Sequence, residues 1–528
     1  MKRAEMLDRV CARSTPWDMV IIGGGATGVG LAVDAASRGY EVLLLEQCDF
    51  GKGTSSRSTK LIHGGVRYLE QGNLPLVMEA LHERDLLRQN APHLVHDLSF
   101  IVPTYAWWEA PFYGIGLTVY DLLAGKAGFG KSHILPRAKV VERIPTIKSE
   151  GLKSGVLYHD GQFDDTRLLI NLVTTAVNKG ACVLNYASVT ALDKDAGGKV
   201  SGVKFIDSES GNVHTVQAKV VINATGAFTD SIRRLTNAQA TPMIAPSQGV
   251  HLVFDRALMP GNTAIMVPHT SDGRVMFVIP WHDHVLVGTT DTAIPKPELE
   301  PKPLAEEIEF ILETASRYLS RPPLMQDVLS VFVGVRPLVK AGTGSTKALS
   351  RDHTIDVDDA GLLTVCGGKW TTYRRMAKDG VDKAITLAGL APVACQTEHL
   401  KIHGGPDAAV GSGELASYGS DAALIKAMML EDQKLAAALH AKLPYRAAEV
   451  VWAVRHEMCR TVEDFLARRV RALFLNAQAA IDMAPQVARL MADELGLDER
   501  WQNEQVRTFS ALASQYVVQK SAALVSQS

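Results

Sequence analysis

Residues 19–46, MVIIGGGATGVGLAVDAASRGYEVLLLE, decide the fold. The run MVII (19–22) is continuously apolar, as in a parallel strand buried on both faces. Gly23, Gly25 and Gly28 follow at G-x-G-x-x-G spacing, and VGLAVDAASRG (29–39) continues as an apolar helical stretch that stops at Gly39. A second apolar strand, EVLLLE (41–46), ends on Glu46. Strand, glycine turn, helix and strand in this order make a dinucleotide-binding unit. The glycines permit the tight turn, let the backbone approach a pyrophosphate and let the helix pack on the sheet. The helix N-terminus presents unpaired N–H groups to the phosphates. Glu46 stands where it can accept from a ribose hydroxyl. The sequence thus predicts an α/β, doubly wound domain in which Gly23, Gly24, Gly25, Thr27, Gly28 and Glu46 meet the ligand.

Nicotinamide and flavin dinucleotides share this fingerprint, so the rest of the chain must separate them. In KVVINATGAFTD (219–230) an apolar strand ends at Asn223-Ala224-Thr225-Gly226. In LLTVCGGKWTTYRRMA (362–377) another ends at Gly367-Gly368 and enters a helix. A chain that returns twice to one ligand suits the extended FAD better than NAD. The second helix N-terminus would also face the negative charge that reduced flavin carries near N1 and C2=O. Ala224, Thr225, Gly226, Gly367, Gly368, Lys369, Trp370 and Thr371 therefore join the expected FAD contacts, with Ser55, Ser56 and Lys60.

A different chemistry is suggested by KLIHGGVRYLE (60–70), where Lys60, His63 and Arg67 surround the glycine pair Gly64-Gly65. A surface loop would not need its apolar residues, and a core strand would not carry its charges. Cations, an imidazole and closely approached backbone together suit a small anionic ligand.

Composition narrows the alternatives. The 528 residues are enough for roughly three domains, and a formal charge of −2 gives no electrostatic case for nucleic acid. Any anion must be held by a local cluster. The six cysteines are scattered without a CxxC pair, which argues against a zinc site or a disulfide framework. The N-terminal MKRAEMLDRVCARSTPWD lacks the apolar region of a secretory signal, and no run approaches a transmembrane span. Residues 105–131, YAWWEAPFYGIGLTVYDLLAGKAGFGK, crowd Trp107, Trp108, Phe112, Tyr113, Leu117 and Tyr120 ahead of Lys126 and Lys131. That mixture suits a helix lying flat at a bilayer interface, or one packed on a sheet.

IGGGATGVGLAVDAASRG (22–39) and GGKWTTYRRMA (367–377) resemble two signature stretches of the FAD-dependent glycerol-3-phosphate dehydrogenases. KLIHGGVRYLE, VINATGAFTD (221–230), IPWHDHVLVGTTD (279–291), FVGVRPL (332–338) and VRHEMCRTVEDFLARRVRALFL (454–475) match as well, so the resemblance spans nearly the whole chain. It implies glycerol 3-phosphate as substrate, a membrane quinone as acceptor and a peripheral position on the inner face of the cell membrane, and it is compatible with a homodimer; the alternative is a glycerol-3-phosphate oxidase using oxygen, which shares these motifs, or another FAD-dependent oxidase or dehydrogenase of the same fold. Phosphate and alcohol recognition would fall to Arg67, Tyr68, His251, Thr289, Arg336, Arg351 and Lys369, with His63, Arg336 and Lys369 catalytic. His63 and His251 are both candidates for the base. Gln248 stands where the resemblance would put a basic residue, so position 248 is left out of the phosphate set. The expected organisation is a discontinuous FAD domain (15–90, 150–235, 350–390), a substrate and membrane-contact domain (91–149, 236–349) and a helical domain (391–528). In the last, Arg460, Arg468, Arg469 and Arg471 are read as a solvated helix face.

Overall fold

Trp17–Ile22 (β1) and Val42–Leu45 (β2) run parallel, Met19 beside Val42 and Ile22 beside Leu45, with Ala26–Ser37 (α1) crossing between them. Apart from Asp18 both strands are buried, which is why they are apolar without alternation. The computed structural model describes residues 1–65, 73–125, 128–268, 270, 273–340, 353–405 and 413–518.

The chain then leaves for a second sheet. Leu74–Asn90 (α2) leads into Val95–Thr104 (β3), Glu109–Ala124 (α3) follows, and Ser154–Phe163 (β4) pairs antiparallel with the full length of β3. β4 falls within the 150–235 segment that the sequence assigned to the cofactor domain. It belongs instead to the second sheet, held by β3 on one edge and by Leu61–Ile62 on the other. Val213–Asn223 (β5) brings the chain back to the free edge of β1, Ile21 beside Ile222. Ile244–Asp255 (β6), His284–Gly288 (β7) and Val328–Val339 (β8) rejoin the second sheet, β6 lying antiparallel between β7 and β8. Leu363–Gly367 (β9) returns once more, beside β5, and passes through the 3₁₀ turn Trp370–Thr372 into Tyr373–Leu387 (α4). The strand ends at Ile22, Asn223 and Gly367 thus share one edge of the parallel sheet, where doubly wound sheets take ligands.

Ala447–His456 (α5), Ala477–Leu495 (α6) and Glu499–Ala513 (α7) form the C-terminal region. Ala480, Met483, Val487 and Met491 of α6 share one core with Phe100, Trp281 and Phe332 of the second sheet. The reading of its arginines as a solvated helix face is corrected. Asp464–Arg469 forms a π-helical turn, and Arg468, Arg469 and Arg471 are each 3% exposed. Arg468 and Arg469 reach Asp49 at 2.6 and 2.7 Å, and Arg468 also pairs with Glu463 at 2.7 Å and Asp464 at 2.8 Å. Arg471 donates to the Ser56 carbonyl at 2.7 Å. These acceptors, Asp49 and Ser56 remote in sequence and Glu463 and Asp464 local, offset the desolvation that would otherwise keep a guanidinium at the surface. Arg460 stays nearer solvent, 2.7 Å from Glu209.

The aromatic segment is also divided by the structure. Leu117 and Tyr120 face inward, whereas Trp107 is 83% exposed and Trp108, Phe112, Ile115 and Leu122 are exposed with it.

Candidate functional site

A groove of about 410 Å³ opens at the shared strand ends. Gly23, Gly25, Thr27, Glu46, Ser55, Ala224, Thr225, Gly226, Gly367, Gly368, Lys369 and Trp370, all among the expected FAD contacts, line it. Its floor is closely fitted. Gly23 has φ +112°, and a Cβ there would lie 2.7 Å from the Ala224 carbonyl oxygen. A Cβ on Gly28 would overlap the Gly23 carbonyl, so Gly28 lets α1 pack behind the turn. The Glu46 carboxylate accepts from the Gly24 amide at 2.6 Å and the Cys48 amide at 2.9 Å. Burial lifts its pKa above the ordinary value, and those two amides oppose the shift. Ser55 joins three segments: its Oγ accepts from the Ala26 amide at 2.9 Å, and its carbonyl accepts from Trp370 Nε1 at 2.9 Å. Bare backbone at a helix N-terminus, with an acid at the end of β2, fits the pyrophosphate and ribose of FAD.

Some expected cofactor contacts lie behind this groove. Lys60 is fully buried, its Nζ donating to Asp165 at 2.6 Å and to the Ser56 carbonyl at 2.8 Å, over the rings of Trp281, Phe332 and Phe474. Burial pushes its pKa down to about 7 against the pull of Asp165. Ser56 and Thr371 are buried, and neither they, Lys60, Gly24 nor Gly28 line the groove. Their role here is to hold its wall.

Beside the groove lies a second cavity of about 250 Å³, lined by Thr59, His63, Gly65, Asp160, Arg274, Thr289, Asp291 and Arg336 among others. Arg336 projects from β8. One of its terminal nitrogens meets Asp291 at 3.1 Å, and the other donates to the Thr290 carbonyl at 2.9 Å. Gly249, in the paired strand β6, makes room for it: a Cβ there would come within 2.6 Å of the Arg336 guanidinium. The HGG turn has similar causes. A Cβ on Gly64 would lie 2.5 Å from the Tyr120 hydroxyl and 2.6 Å from Leu81, and Gly65 has φ +79°.

His251 does not line the cavity. Its ring is buried and stacked on Phe332, 4.9 Å between centroids, and its Nε2 lies 3.0 Å from Thr59 Oγ1. Burial, with the charges of Lys60 and Arg336, drives its pKa well below the ordinary value, so the imidazole is neutral, and Thr59 links it to the cavity. Lys369 lines the cofactor groove rather than this cavity. Gln248 is buried and donates to Glu307 at 2.6 Å. Arg67, Tyr68, Arg351 and Lys126 lie outside the described residues. Thr59, Asp160, Arg274 and Asp291 were not singled out in the sequence.

Residues 18–374 match the family model for FAD dependent oxidoreductases, and residues 365–502 match the C-terminal domain of alpha-glycerophosphate oxidase. A probable mitochondrial glycerol-3-phosphate dehydrogenase of Caenorhabditis elegans is 40% identical, the match covering 94% of this chain and 74% of the relative. A mitochondrial glycerol-3-phosphate dehydrogenase of Arabidopsis thaliana is also 40% identical, over 94% of this chain and 85% of the relative. The crystal structure of glycerol-3-phosphate dehydrogenase from Bacillus halodurans, complexed with FAD, matches 98% of this chain and 97% of its own with a TM-score of 0.80 and 29% identity. With a glycine-floored groove that fits the cofactor and relatives alike along nearly its whole length, this chain belongs to the glycerol-3-phosphate dehydrogenase family of FAD-dependent oxidoreductases.

Proposed function

We propose that this protein oxidises sn-glycerol 3-phosphate to dihydroxyacetone phosphate in the cavity beneath the HGG turn and passes the electrons to a quinone held in a bilayer. One observation carries the reading: His63, Arg274 and Arg336 line a single cavity, and Pro337, next to Arg336, lines the cofactor groove. A small dianion with a secondary alcohol suits that set. Guanidinium forks take phosphate oxygens, each charge-assisted bond adding about 1.5–3 kcal/mol net. An imidazole takes the hydroxyl proton as the C2 hydride departs. When bound, FAD supplies the hydride acceptor.

In this reading Arg336 anchors the phosphate with its fork already set by Thr290 and Asp291. Arg274, Arg67, Tyr68 and Arg351 complete the anion site. His63 is the base, Thr289 hydrogen-bonds the substrate, Lys369 steadies developing charge from the cofactor side, and His251 orients the Thr59 hydroxyl.

The acceptor follows from the surface. Among the described residues no helix is long and apolar enough to cross a membrane. α3 nevertheless turns Phe112, Ile115 and Leu122 outward beside Trp107 and Trp108, with Lys131 exposed nearby. Such a face suits the inner surface of the cell membrane, where a lipid-soluble quinone is met. Steady-state turnover of FAD-loaded protein with glycerol 3-phosphate, supplied with a soluble quinone or with oxygen alone, tests the reading. Rapid turnover with quinone and slow turnover with oxygen are expected. Equal turnover with oxygen alone would make the protein an oxidase.

A further inference from the structure

The side of α3 opposite its exposed aromatic face is bonded to the wall of the substrate cavity. Tyr120, 1% exposed, accepts from the Gly64 amide at 2.8 Å and donates to Asp160 Oδ2 at 2.9 Å. Arg84 of α2 meets the same hydroxyl at 3.4 Å and Asp160 Oδ1 at 2.7 Å. One donor and two acceptor sites are all that a phenol offers, so this hydroxyl is fully used. Gly64 stands between His63 and Gly65, and both of these line the cavity, as does Asp160; Tyr120 does not. The hydroxyl therefore fixes the peptide that follows His63 and turns one carboxylate oxygen of Asp160 inward. Leu81 and the hydroxyl together exclude any side chain at position 64. Burial and the neighbouring Asp160 charge raise the phenol pKa well above 10, which keeps it a donor.

We propose that Tyr120 is a positioning residue for the substrate site: through the Gly64 amide and the Asp160 carboxylate it holds the His63 imidazole where it meets the substrate alcohol. The inference rests on the reading of His63 as the base. A displacement of about 1 Å in a reacting group can cost on the order of a hundredfold in rate, so one hydrogen bond to the turn has kinetic weight.

The test is Tyr120→Phe in FAD-loaded protein, read by rapid-mixing reduction of the flavin with glycerol 3-phosphate in the absence of oxygen. Phenylalanine keeps the ring that packs on Val77 and Leu81. The reduction rate should fall about 10- to 100-fold while flavin content is retained and KM changes less than kcat. On a His63→Asn background the same change should add less than about twofold, since the group it positions is gone. Leu117→Ala, which loosens the inner face of the same helix without touching the hydroxyl, controls for lost packing. It should lower the melting temperature and leave reduction near the parental rate. Tyr120→Phe at the parental rate, an equal loss on the His63→Asn background, or an equal loss in Leu117→Ala would each overturn the proposal. Parental reduction by His63→Asn alone would remove the base assignment, and the positioning role with it. That outcome is distinct from a slow His63→Asn beside an unaffected Tyr120→Phe.

Discussion

Arg336 carries the sharpest expectation of any single residue. Its guanidinium is held by Asp291 and the Thr290 carbonyl and faces the cavity, so Arg336→Ala removes a pre-set phosphate fork. A loss of about 1.5–3 kcal/mol, roughly 10- to 150-fold in kcat/KM, is expected with glycerol 3-phosphate. With glycerol, which has no phosphate, the loss should nearly vanish; equal losses would assign Arg336 to the fold. Gly25 gives a second expectation. A Cβ there already comes within 3.0 Å of Ser55 Oγ at the mouth of α1, so Gly25→Val should fill the pyrophosphate space and yield protein without flavin. Full flavin content in that variant would refute the assignment. Residues like these are legible in sequence because each sits in a motif. Thr59, Asp160 and Arg274 carry no such mark; the fold brings them to the cavity from separate segments. Lys60 shows the converse. It stands beside a cofactor motif, but sequence alone does not say that its side chain points away, into the pair with Asp165.

Among the elements, α3 makes the most accessible claim. Its outer face bears Phe112, Ile115 and Leu122, and Trp107 and Trp108 extend it, so burying three such side chains in a bilayer would contribute several kcal/mol at about 25 cal/mol per Å². Replacing Trp107, Trp108, Phe112 and Ile115 with serine should release the protein from anionic vesicles in flotation. Activity with a water-soluble dye should survive. Flotation equal to the parent would leave α3 without a docking role. Leu117 does not belong in that set, because it is core. A helix apolar on all sides hides this distinction in its sequence, since periodicity cannot tell the face that packs from the face that docks. The first βαβ unit was far easier to read: strand 19–22 lies in β1, Trp17–Ile22, and strand 41–46 contains β2, Val42–Leu45. Residues 454–475 were harder, because Asp49, which both Arg468 and Arg469 meet, and the Ser56 carbonyl that takes Arg471 come from elsewhere in the chain.

Across the whole molecule, Asp49 ties the cofactor unit to the C-terminal region. It is fully buried; burial alone would raise its pKa, and the Arg469 and Arg468 charges overcome this and hold it at about 2. Glu300 is likewise held at about 2, where Arg57 and Lys52 outweigh burial. Carboxylates with depressed folded pKa values stabilise the protein above their unfolded values, near 3.8 and 4.5, and lose that contribution as pH falls toward 2. The melting temperature should therefore be insensitive to these groups above about pH 5 and fall steeply between about pH 4 and 2. Asp49→Ala, which strands two buried guanidinium groups, should cost about 3–5 kcal/mol at neutral pH and remove part of that acid dependence. An unchanged melting temperature would contradict the clamp. The central claim is that the cavity joining His63 to Arg336 delivers a hydride from glycerol 3-phosphate to the flavin beside it. Rapid mixing of FAD-loaded protein with glycerol 3-phosphate without oxygen tests this directly. The parent flavin should bleach within the turnover time, and His63→Asn, with its flavin intact, should bleach about 10²- to 10⁴-fold more slowly. A parent flavin that stays oxidised, or a His63→Asn flavin that bleaches at the parental rate, would contradict the account.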